Sequence, residues 1–287
     1  MFVPALALAF YTRETPWNIG IADMAVATVR LKQDTLNEEN KKFAQARLTQ
    51  PVFLNSIPKS GSHLVRNILR MFVPVDQQYS VQFIQWSLLK QHLKAFDKSA
   101  CKFSWGHLMF SDASAVELRG VRKLILMRDP YTWVLARTRF FLSNEFEGNV
   151  ENIKDGSLTI EQLMNLMIFG IYEKAPPLEQ LYRFNVAAWL GTDAKPIRYE
   201  DVTKQLAQLE TGEAEQYFAA LLADCGIGAL PADWRARIRI GADRQFSGTA
   251  RENLTGIGVD IPLELPDAQK RLVDYAAPGL RNLLGYA

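Results

Sequence analysis

This chain of 287 residues has few cysteines and histidines, and its positive and negative charges nearly balance. Its two cysteines, Cys101 and Cys225, are too few for a disulfide framework and favour a reducing, cytoplasmic location. The formal net charge is only +2, so no strongly basic surface points to a nucleic-acid partner. The three histidines share no metal-ligand spacing, and no metal is predicted.

Long hydrophobic runs are missing as well. No stretch approaches the roughly 20 apolar residues of a membrane-spanning helix. The apolar segment MFVPALALAFYTRE (residues 1–14) has no basic residue in front of it, unlike a secretory signal peptide, and we expect an ordered, β-like segment there. Hydrophobic residues make up 48% of the chain, which is enough for a sizeable core.

Predicted strands and helices alternate along the chain. The predicted strands are VFLNS, CKFSWGH and KLILMR, at residues 52–56, 101–107 and 123–128. A short fourth strand that runs into a helix is predicted in PIRYED, at residues 196–201. This alternation predicts an α/β fold with a central parallel sheet flanked by helices. Residues 1–50 are predicted to form a helical extension packed on a domain of residues 51–287, all in one structural unit; the spacing of Thr35 and Glu38 predicts a helix from about Leu36.

Three chemically distinctive side chains lie at, or just past, the ends of predicted strands. They are Lys59, His107 and Arg128. Parallel sheets bind their ligands beyond the carboxyl ends of the strands. We therefore expect an ammonium, an imidazole and a guanidinium group to converge on one ligand.

The segment IPKSGSHLV (residues 57–65) is predicted to be a tight turn from a strand into a helix. Backbone N–H groups at a helix start attract anions, phosphate above all. A nucleotide-hydrolysing loop has the order G-x-x-x-x-G-K-[ST], whereas here Lys59 precedes Gly61. An Mg-dependent NTPase is therefore disfavoured.

Three of these segments together resemble one family, the PAPS-dependent sulfotransferases. IPKSGSHLV resembles its 5′-phosphosulfate loop PKSGTTWL, LILMRDPYTWVLARTRFF its 3′-phosphate motif, and WGHLMF its catalytic-histidine segment. The resemblance spans about residues 53–255. It implies the P-loop-like sulfotransferase fold, PAPS as sulfuryl donor and PAP as product.

The resemblance also implies residue roles. Lys59 matches the catalytic lysine and His107 the catalytic base, which we expect to have a pKa near neutrality. The expected contacts to the nucleotide come from the phosphate loop, the 3′-phosphate motif, the segment RYEDV and the late segment DRQFSGTARENLT; they are Lys59, Ser60, Gly61, Ser62, His63, Arg128, Tyr199, Arg244, Gly248 and Arg251.

Three positions depart from the family pattern. The serine expected eight residues after Arg128 is Ala136, and Thr138 or Arg137 would replace it. A lysine expected two residues before the histidine is Trp105, and an adenine-stacking tryptophan is Leu64. The expected consequence is weaker donor binding, or adenine held in a different way.

The resulting prediction is transfer of a sulfuryl group from PAPS to a hydroxyl or amine of a small-molecule acceptor such as a natural product. Phe103, Trp105 and Phe140 would line an apolar acceptor cavity, or belong to the plain core. Glu145 lies in an acidic segment, residues 142–157, which is either a solvated loop or a lid favouring a cationic acceptor.

Three alternatives stay open from the sequence. Ala136 and Trp105 are compatible with a non-catalytic PAP- or PAPS-binding module. A small-molecule kinase on the same sheet would need Mg-ATP, and a purely structural α/β protein would bind no nucleotide. A homo-oligomer is compatible with any of them.

Overall fold

The computed structural model describes residues 28–29, 33–80, 83–143, 146–147, 150–248 and 260–286. The strands are β1 (Thr28–Val29), β2 (Val52–Ser56), β3 (Ile84–Gln85), β4 (Phe103–His107), β5 (Arg122–Met127), β6 (Phe146–Glu147) and β7 (Lys195–Arg198). The α-helices are α1 (Leu36–Asn40), α2 (Ser62–Arg70), α3 (Asp112–Glu117), α4 (Pro130–Leu142), α5 (Ile160–Phe169), α6 (Leu178–Asn185), α7 (Tyr199–Ala207), α8 (Gly212–Asp224), α9 (Trp234–Ala242), α10 (Asp267–Ala276) and α11 (Leu280–Leu283). Short 3₁₀ helices span Val75–Gln77, Trp86–Phe96, Glu151–Ile153, Ala187–Trp189 and Arg244–Phe246.

The chain divides into two compact units. One comprises Met1–Leu31, Asp129–Arg183 and Glu252–Ala287, and the other comprises Lys32–Arg128 and Phe184–Arg251. The predicted β-like segment of residues 1–14 lies outside the described residues, as does most of the first part of the predicted extension.

A five-stranded parallel sheet, in the order β3-β4-β2-β5-β7, forms the centre of the second unit. The prediction of an α/β fold with a parallel sheet is confirmed. Strand β2 pairs with β4 on one side and with β5 on the other, and all five of its residues are buried. The carboxyl ends of β2, β4 and β5 therefore lie side by side at one edge, where the residues that follow them can meet.

Helix α2 is tightly packed in this unit. It contacts α9, where a Cβ built on Gly241 would lie 2.7 Å from the Ile68 Cα atom. Arg70, at the end of α2, is buried and donates from both terminal nitrogens to the Asp34 carboxylate, at 2.9 and 2.8 Å. These contacts fix the helix whose first turn follows the phosphate loop.

Two helix predictions in this unit need correction. Helix α1 starts at Leu36 as predicted, but the Thr35 side chain makes no capping hydrogen bond and the helix ends at Asn40. Asn40 is buried and donates to the carbonyl groups of Arg70 and Val73, so tertiary hydrogen bonds take the place of a longer helix. The amphipathic pattern of residues 81–96 predicts an α-helix, but Trp86–Phe96 forms a 3₁₀ helix with a kink at His92.

The first unit is mainly helical in its described part. Helix α4 begins after the N-cap Asp129 with Pro130 at its first position, as predicted, and it packs against α5 and α10. Arg137 is buried there and donates to the carbonyl groups of Met167 and Pro176, at 2.9 and 2.8 Å. The predicted final helix is split into α10 and α11, because Gly279 between them adopts a left-handed conformation.

Candidate active site

The loop between β2 and α2 has an unusual backbone. Lys59 has φ +70° and Gly61 has φ +90°. Two of three consecutive residues therefore adopt a left-handed backbone conformation. Such a turn directs successive N–H groups into one concavity that suits an anion. The Ser60 hydroxyl donates to the Ile57 carbonyl at 2.7 Å and closes the turn, so this buried side chain shapes the loop.

The first turn of α2 faces this concavity. Its N-cap is Gly61, which has no side chain to occupy the first N–H groups, and the first turn contains no acidic residue. The helix dipole therefore places uncompensated positive potential at the loop, which favours a bound anion. Ser62, the first residue of α2, has its hydroxyl 2.7 Å from the Ser56 hydroxyl at the end of β2.

His107 ends β4, and its ring orientation is fixed by Ser56. The Nδ1 atom lies 2.8 Å from the Ser56 carbonyl oxygen and 3.0 Å from the Ser56 hydroxyl. Because a carbonyl oxygen only accepts hydrogen bonds, Nδ1 carries the proton in the neutral ring. The Nε2 atom then has the lone pair that a general base needs.

Burial controls the protonation of His107. It lowers the pKa of this imidazole to about 3, with a further lowering by the charge of Lys59, while hydrogen bonds to Ser56 and Gly106 oppose the shift. The expectation of a pKa near neutrality is therefore wrong. The ring is neutral near pH 7, and the effect of Lys59 indicates that its ammonium group lies close to the imidazole.

Arg128 joins the same group. Its Nη1 donates to the Lys59 carbonyl at 3.4 Å, and its guanidinium lies 4.6 Å from the centre of the Tyr199 ring. Tyr199 in turn packs on the phosphate loop, since a Cβ built on Gly61 would lie 2.3 Å from its ring. The structure thus brings together Lys59, His107 and Arg128 at the carboxyl edge of the sheet.

Aromatic side chains flank His107 on the β4 side. Phe83 packs edge-on against His107, with ring centres 4.7 Å apart, and lies 5.0 Å from Trp105. Trp105 also contacts His63, at 4.9 Å between ring centres. The guanidinium of Arg66 lies over Trp105 at 4.7 Å.

Three further predicted site residues are Phe103, Thr138 and Phe140. Phe103 begins β4, four residues before His107, which places it about 13 Å away along the strand in the buried core. Thr138 and Phe140 belong to α4 in the other unit, and the Thr138 hydroxyl donates to the Val134 carbonyl at 2.8 Å. Helix back-bonding of this kind uses the hydroxyl proton locally.

The segment DRQFSGTARENLT is described only as far as Gly248. Arg244 is exposed on a 3₁₀ turn, and the N–H of buried Gly248 lies 3.4 Å from the Asp34 carboxylate. Neighbouring Ser247 accepts a hydrogen bond from Asn67 of α2 at 2.8 Å. Arg251 and Glu145 lie outside the described residues.

Three residues of this site were missed by the sequence analysis: Ser56, Phe83 and Arg66. Ser56 was assigned only to a strand, although it ends β2 beside the end of β4 and was therefore placed to meet His107. Phe83 precedes a two-residue strand whose pairing with β4 has no local sequence pattern. Arg66 lies one turn after the phosphate loop, on the face of α2 that also carries His63.

Metal-binding groups and membrane spans were also sought. Within the described ranges, no cluster of three or more histidine, cysteine or acidic side chains is arranged to hold a metal ion. In the same part of the chain, no helix is both long and apolar enough to cross a membrane.

The geometry defines a class of α/β protein. Its central sheet is parallel, and the loop after the central strand has a backbone that suits an anion. No protein-family model matches the chain, and no curated protein sequence does. Among solved structures, mouse sulfotransferase SULT7A1 complexed with PAP is similar over 88% of this chain and 94% of its own, at 15% identity and a TM-score of 0.51. A retinol dehydratase complexed with androsterone and the inactive cofactor PAP covers 81% and 80%, at 13% identity and a TM-score of 0.45. The chain has a sulfotransferase-like fold, as predicted.

Proposed function

We propose that this protein is a PAPS-dependent sulfotransferase. The observation that carries the proposal is the convergence of Lys59, His107 and Arg128 beside the first turn of α2. The similar fold of a PAP-complexed sulfotransferase supports it. The acceptor is a small molecule with a hydroxyl or amine group.

The site offers positive groups in two places for a doubly phosphorylated nucleotide. The 5′-phosphate would lie on the loop amides near Gly61 and the start of α2, with the Ser62 and His63 N–H groups. Arg128 would bind the 3′-phosphate through its planar guanidinium, assisted by Arg244 and Arg251. Tyr199, packed between the loop and Arg128, would contact the nucleotide near its base.

His107 and Lys59 would divide the chemistry. The Nε2 atom of His107, whose ring is neutral near pH 7, accepts the proton of the acceptor hydroxyl as that oxygen attacks sulfur. The Lys59 ammonium stabilises the charge that develops on the oxygen bridging sulfur and the 5′-phosphate. One preorganised donor of this type is worth about 3–4 kcal/mol in the transition state.

Ser56 would act as a positioning residue. Its carbonyl holds the Nδ1 proton of His107, and its hydroxyl lies next to that of Ser62 on the phosphate loop helix. A hydrogen-bonded path therefore runs from the general base to the donor phosphate site. This path keeps Nε2 unprotonated and the ring correctly oriented.

The test is conversion of PAPS to PAP with a panel of phenols, alcohols and amines. We expect transfer with the native protein and loss of at least about 10²-fold in Lys59→Ala and in His107→Ala. Lys94→Ala, at an exposed lysine of the 3₁₀ helix, is the matched control. Native turnover in either site variant contradicts the assigned role. Binding of PAP without any transfer favours the non-catalytic module, and transfer from Mg-ATP favours the kinase.

The proposed setting is a reducing compartment such as the cytoplasm. Both cysteines are thiols, Cys101 half-buried and Cys225 buried, and burial raises the pKa of Cys225. A protonated, buried thiol is poorly reactive and behaves as a small apolar core residue.

A further inference from the structure

Arg66 is a cation in the candidate site that the mechanism above does not use. Burial and the nearby charge of Arg70 lower the pKa of Arg66 to about 9, so it is still charged near pH 7. Its guanidinium lies on the ring of Trp105, and no salt bridge or hydrogen bond from it is present among the described residues. Arg66 is half-buried, so part of this side chain stays accessible and its charge can pair with an anionic ligand.

The nearest carboxylate is already occupied. Both oxygens of Asp34 accept from Arg70, at 2.8 and 2.9 Å, and one also faces the Gly248 N–H group. Arg70 also donates hydrogen bonds to the side-chain oxygens of Asn37 and Gln78, at 2.9 and 3.0 Å. Two guanidinium groups and one carboxylate therefore share this face of α2, which leaves one positive charge uncompensated.

The position of Arg66 separates it from the expected donor site. Arg128 follows β5, whereas Trp105 belongs to β4, and the central strand β2 lies between them. On the β4 side a continuous series of rings joins the general base to Arg66. The steps are His107 to Phe83 at 4.7 Å, Phe83 to Trp105 at 5.0 Å and Trp105 to Arg66 at 4.7 Å.

We propose that Arg66 is the anion-binding residue of the acceptor site, an inference that rests on the proposed sulfotransferase function. The acceptor then has three parts: a hydroxyl at His107, a carboxylate at Arg66, and a flat body long enough to span the buried Phe83–Trp105 pair that lies between them. Guanidinium and carboxylate groups form paired hydrogen bonds, and Trp105 limits the directions from which the pair forms. The substrate class is an aromatic hydroxy acid.

This assignment is opposite in sign to the cationic acceptor considered from the acidic loop. Glu145 of that loop is outside the described residues. Asp155 is exposed and accepts hydrogen bonds from the N–H and hydroxyl of Ser157, at 2.9 and 2.6 Å. The described part of the loop thus gives no support to binding of a cation.

The experiment compares hydroxy acids with their carboxamides as acceptors. The pairs are 4-hydroxybenzoate, 4-hydroxycinnamate and 4′-hydroxybiphenyl-4-carboxylate, each with its uncharged amide. At the best length we expect the acid to be preferred about 10- to 100-fold in kcat/KM, the range of a charge-assisted hydrogen bond. Arg66→Met should remove this preference through a higher KM for the acid, and Arg66→Lys should restore part of it. Arg119→Met, at an exposed arginine, is the control and should keep the preference.

The outcomes separate this inference from the proposed function. PAP is added to the native protein and to Arg66→Met, and the shift in thermal unfolding is measured. Equal shifts, together with the loss of acid preference, support the acceptor role. No acid preference in the native protein, an unchanged preference in Arg66→Met, or a PAP shift lost with Arg66 each overturns it while the sulfotransferase assignment stands. A native protein that neither binds PAP nor transfers sulfate overturns both.

Discussion

Lys59 holds a backbone conformation that costs a non-glycine residue roughly 1–2 kcal/mol. At φ +70° its carbonyl accepts from Arg128, and its ammonium lies close enough to His107 to lower the pKa of that ring. Strain of this kind persists where the surrounding structure over-determines it, often at functional sites. The loop therefore holds Lys59 in a strained backbone conformation, which lowers the stability of the folded protein.

Two substitutions at this position separate strain from chemistry. Lys59→Gly relieves the left-handed strain and Lys59→Ala keeps it, so we expect the glycine variant to be more stable by about 1 kcal/mol. Both should lose transfer, because neither has an ammonium group. Urea unfolding and a PAPS turnover assay measure the two effects. An alanine variant as stable as the glycine variant would show that the conformation carries no strain.

His107 makes a separate prediction about pH. Its pKa is about 3 in the folded protein and near 6.5 in an unfolded chain, so the unfolded state binds the extra proton between these values. Folding stability should therefore fall as the pH is lowered from about 6.5, by up to about 1.4 kcal/mol per pH unit from this group. In His107→Gln the slope should be shallower. Unfolding curves between about pH 7 and pH 4 measure it.

The reverse result would be informative. If His107→Gln keeps the native slope, the imidazole is not held neutral by burial in the folded protein. The pKa of His92 is also lowered by burial. The slope of stability against pH in His92→Gln is therefore the comparison for the slope in His107→Gln.

At the residue scale, the sequence predicted which side chains lie near one another better than it predicted their protonation state. Lys59, His107 and Arg128 were found because each lies at, or just past, the end of a predicted strand. The lowered pKa of His107 was not, because it depends on burial among segments distant in the chain, including Phe83 and Ser56. Arg66 was missed for the same reason, since its environment is built by Trp105 and Asp34.

Helix α2 is the element on which the site depends. Its first turn adjoins the proposed anion site, its face carries Arg66, and its end is held by the Arg70–Asp34 ion pair. Its other support is α9, which approaches so closely that Gly241 has space for no side chain. The position of the phosphate loop is therefore coupled to the packing of α9.

Gly241→Ala tests this coupling. Its Cβ would lie within 3 Å of the Ile68 Cα atom and the Asn67 carbonyl, so one helix must move. We expect a loss of about 1–3 kcal/mol in the free energy of unfolding, the usual range for overpacking. Chemical denaturation is the measurement. Gly212→Ala is the control, because Gly212 begins α8 with nothing within 4 Å of a built Cβ. Equal stability of the two variants would contradict the close packing.

The sequence predicted the strands correctly where a hydrophobic pattern determines their position. KLILMR became β5, ending one residue before Arg128, and VFLNS became β2 with the predicted bounds. The Thr35 capping box was not formed, because the Thr35 backbone, at φ −114° and ψ 7°, lies outside the extended region that an N-cap residue adopts. The short strand running into a helix that was predicted for PIRYED is β7, which ends at Arg198, followed directly by α7 from Tyr199.

At the scale of the whole molecule, the candidate site depends on the order of strands in one sheet. The order β4-β2-β5 places His107, Lys59 and Arg128 on three adjacent strand ends, although 69 positions separate Lys59 from Arg128 in the chain. The sequence predicted a parallel sheet but carried no direct information on this order. Only the order makes the general base and the two cations neighbours.

The most direct test of the central claim is equilibrium unfolding with PAP, compared with adenosine 5′-phosphate, which lacks the 3′-phosphate. PAP at a hundred times its dissociation constant should raise the free energy of unfolding by about 2.7 kcal/mol. Adenosine 5′-phosphate at the same concentration should raise it much less, and Arg128→Met should remove the difference. No stabilisation by PAP, or equal stabilisation by both nucleotides in the native protein, would contradict a shared site for the three groups.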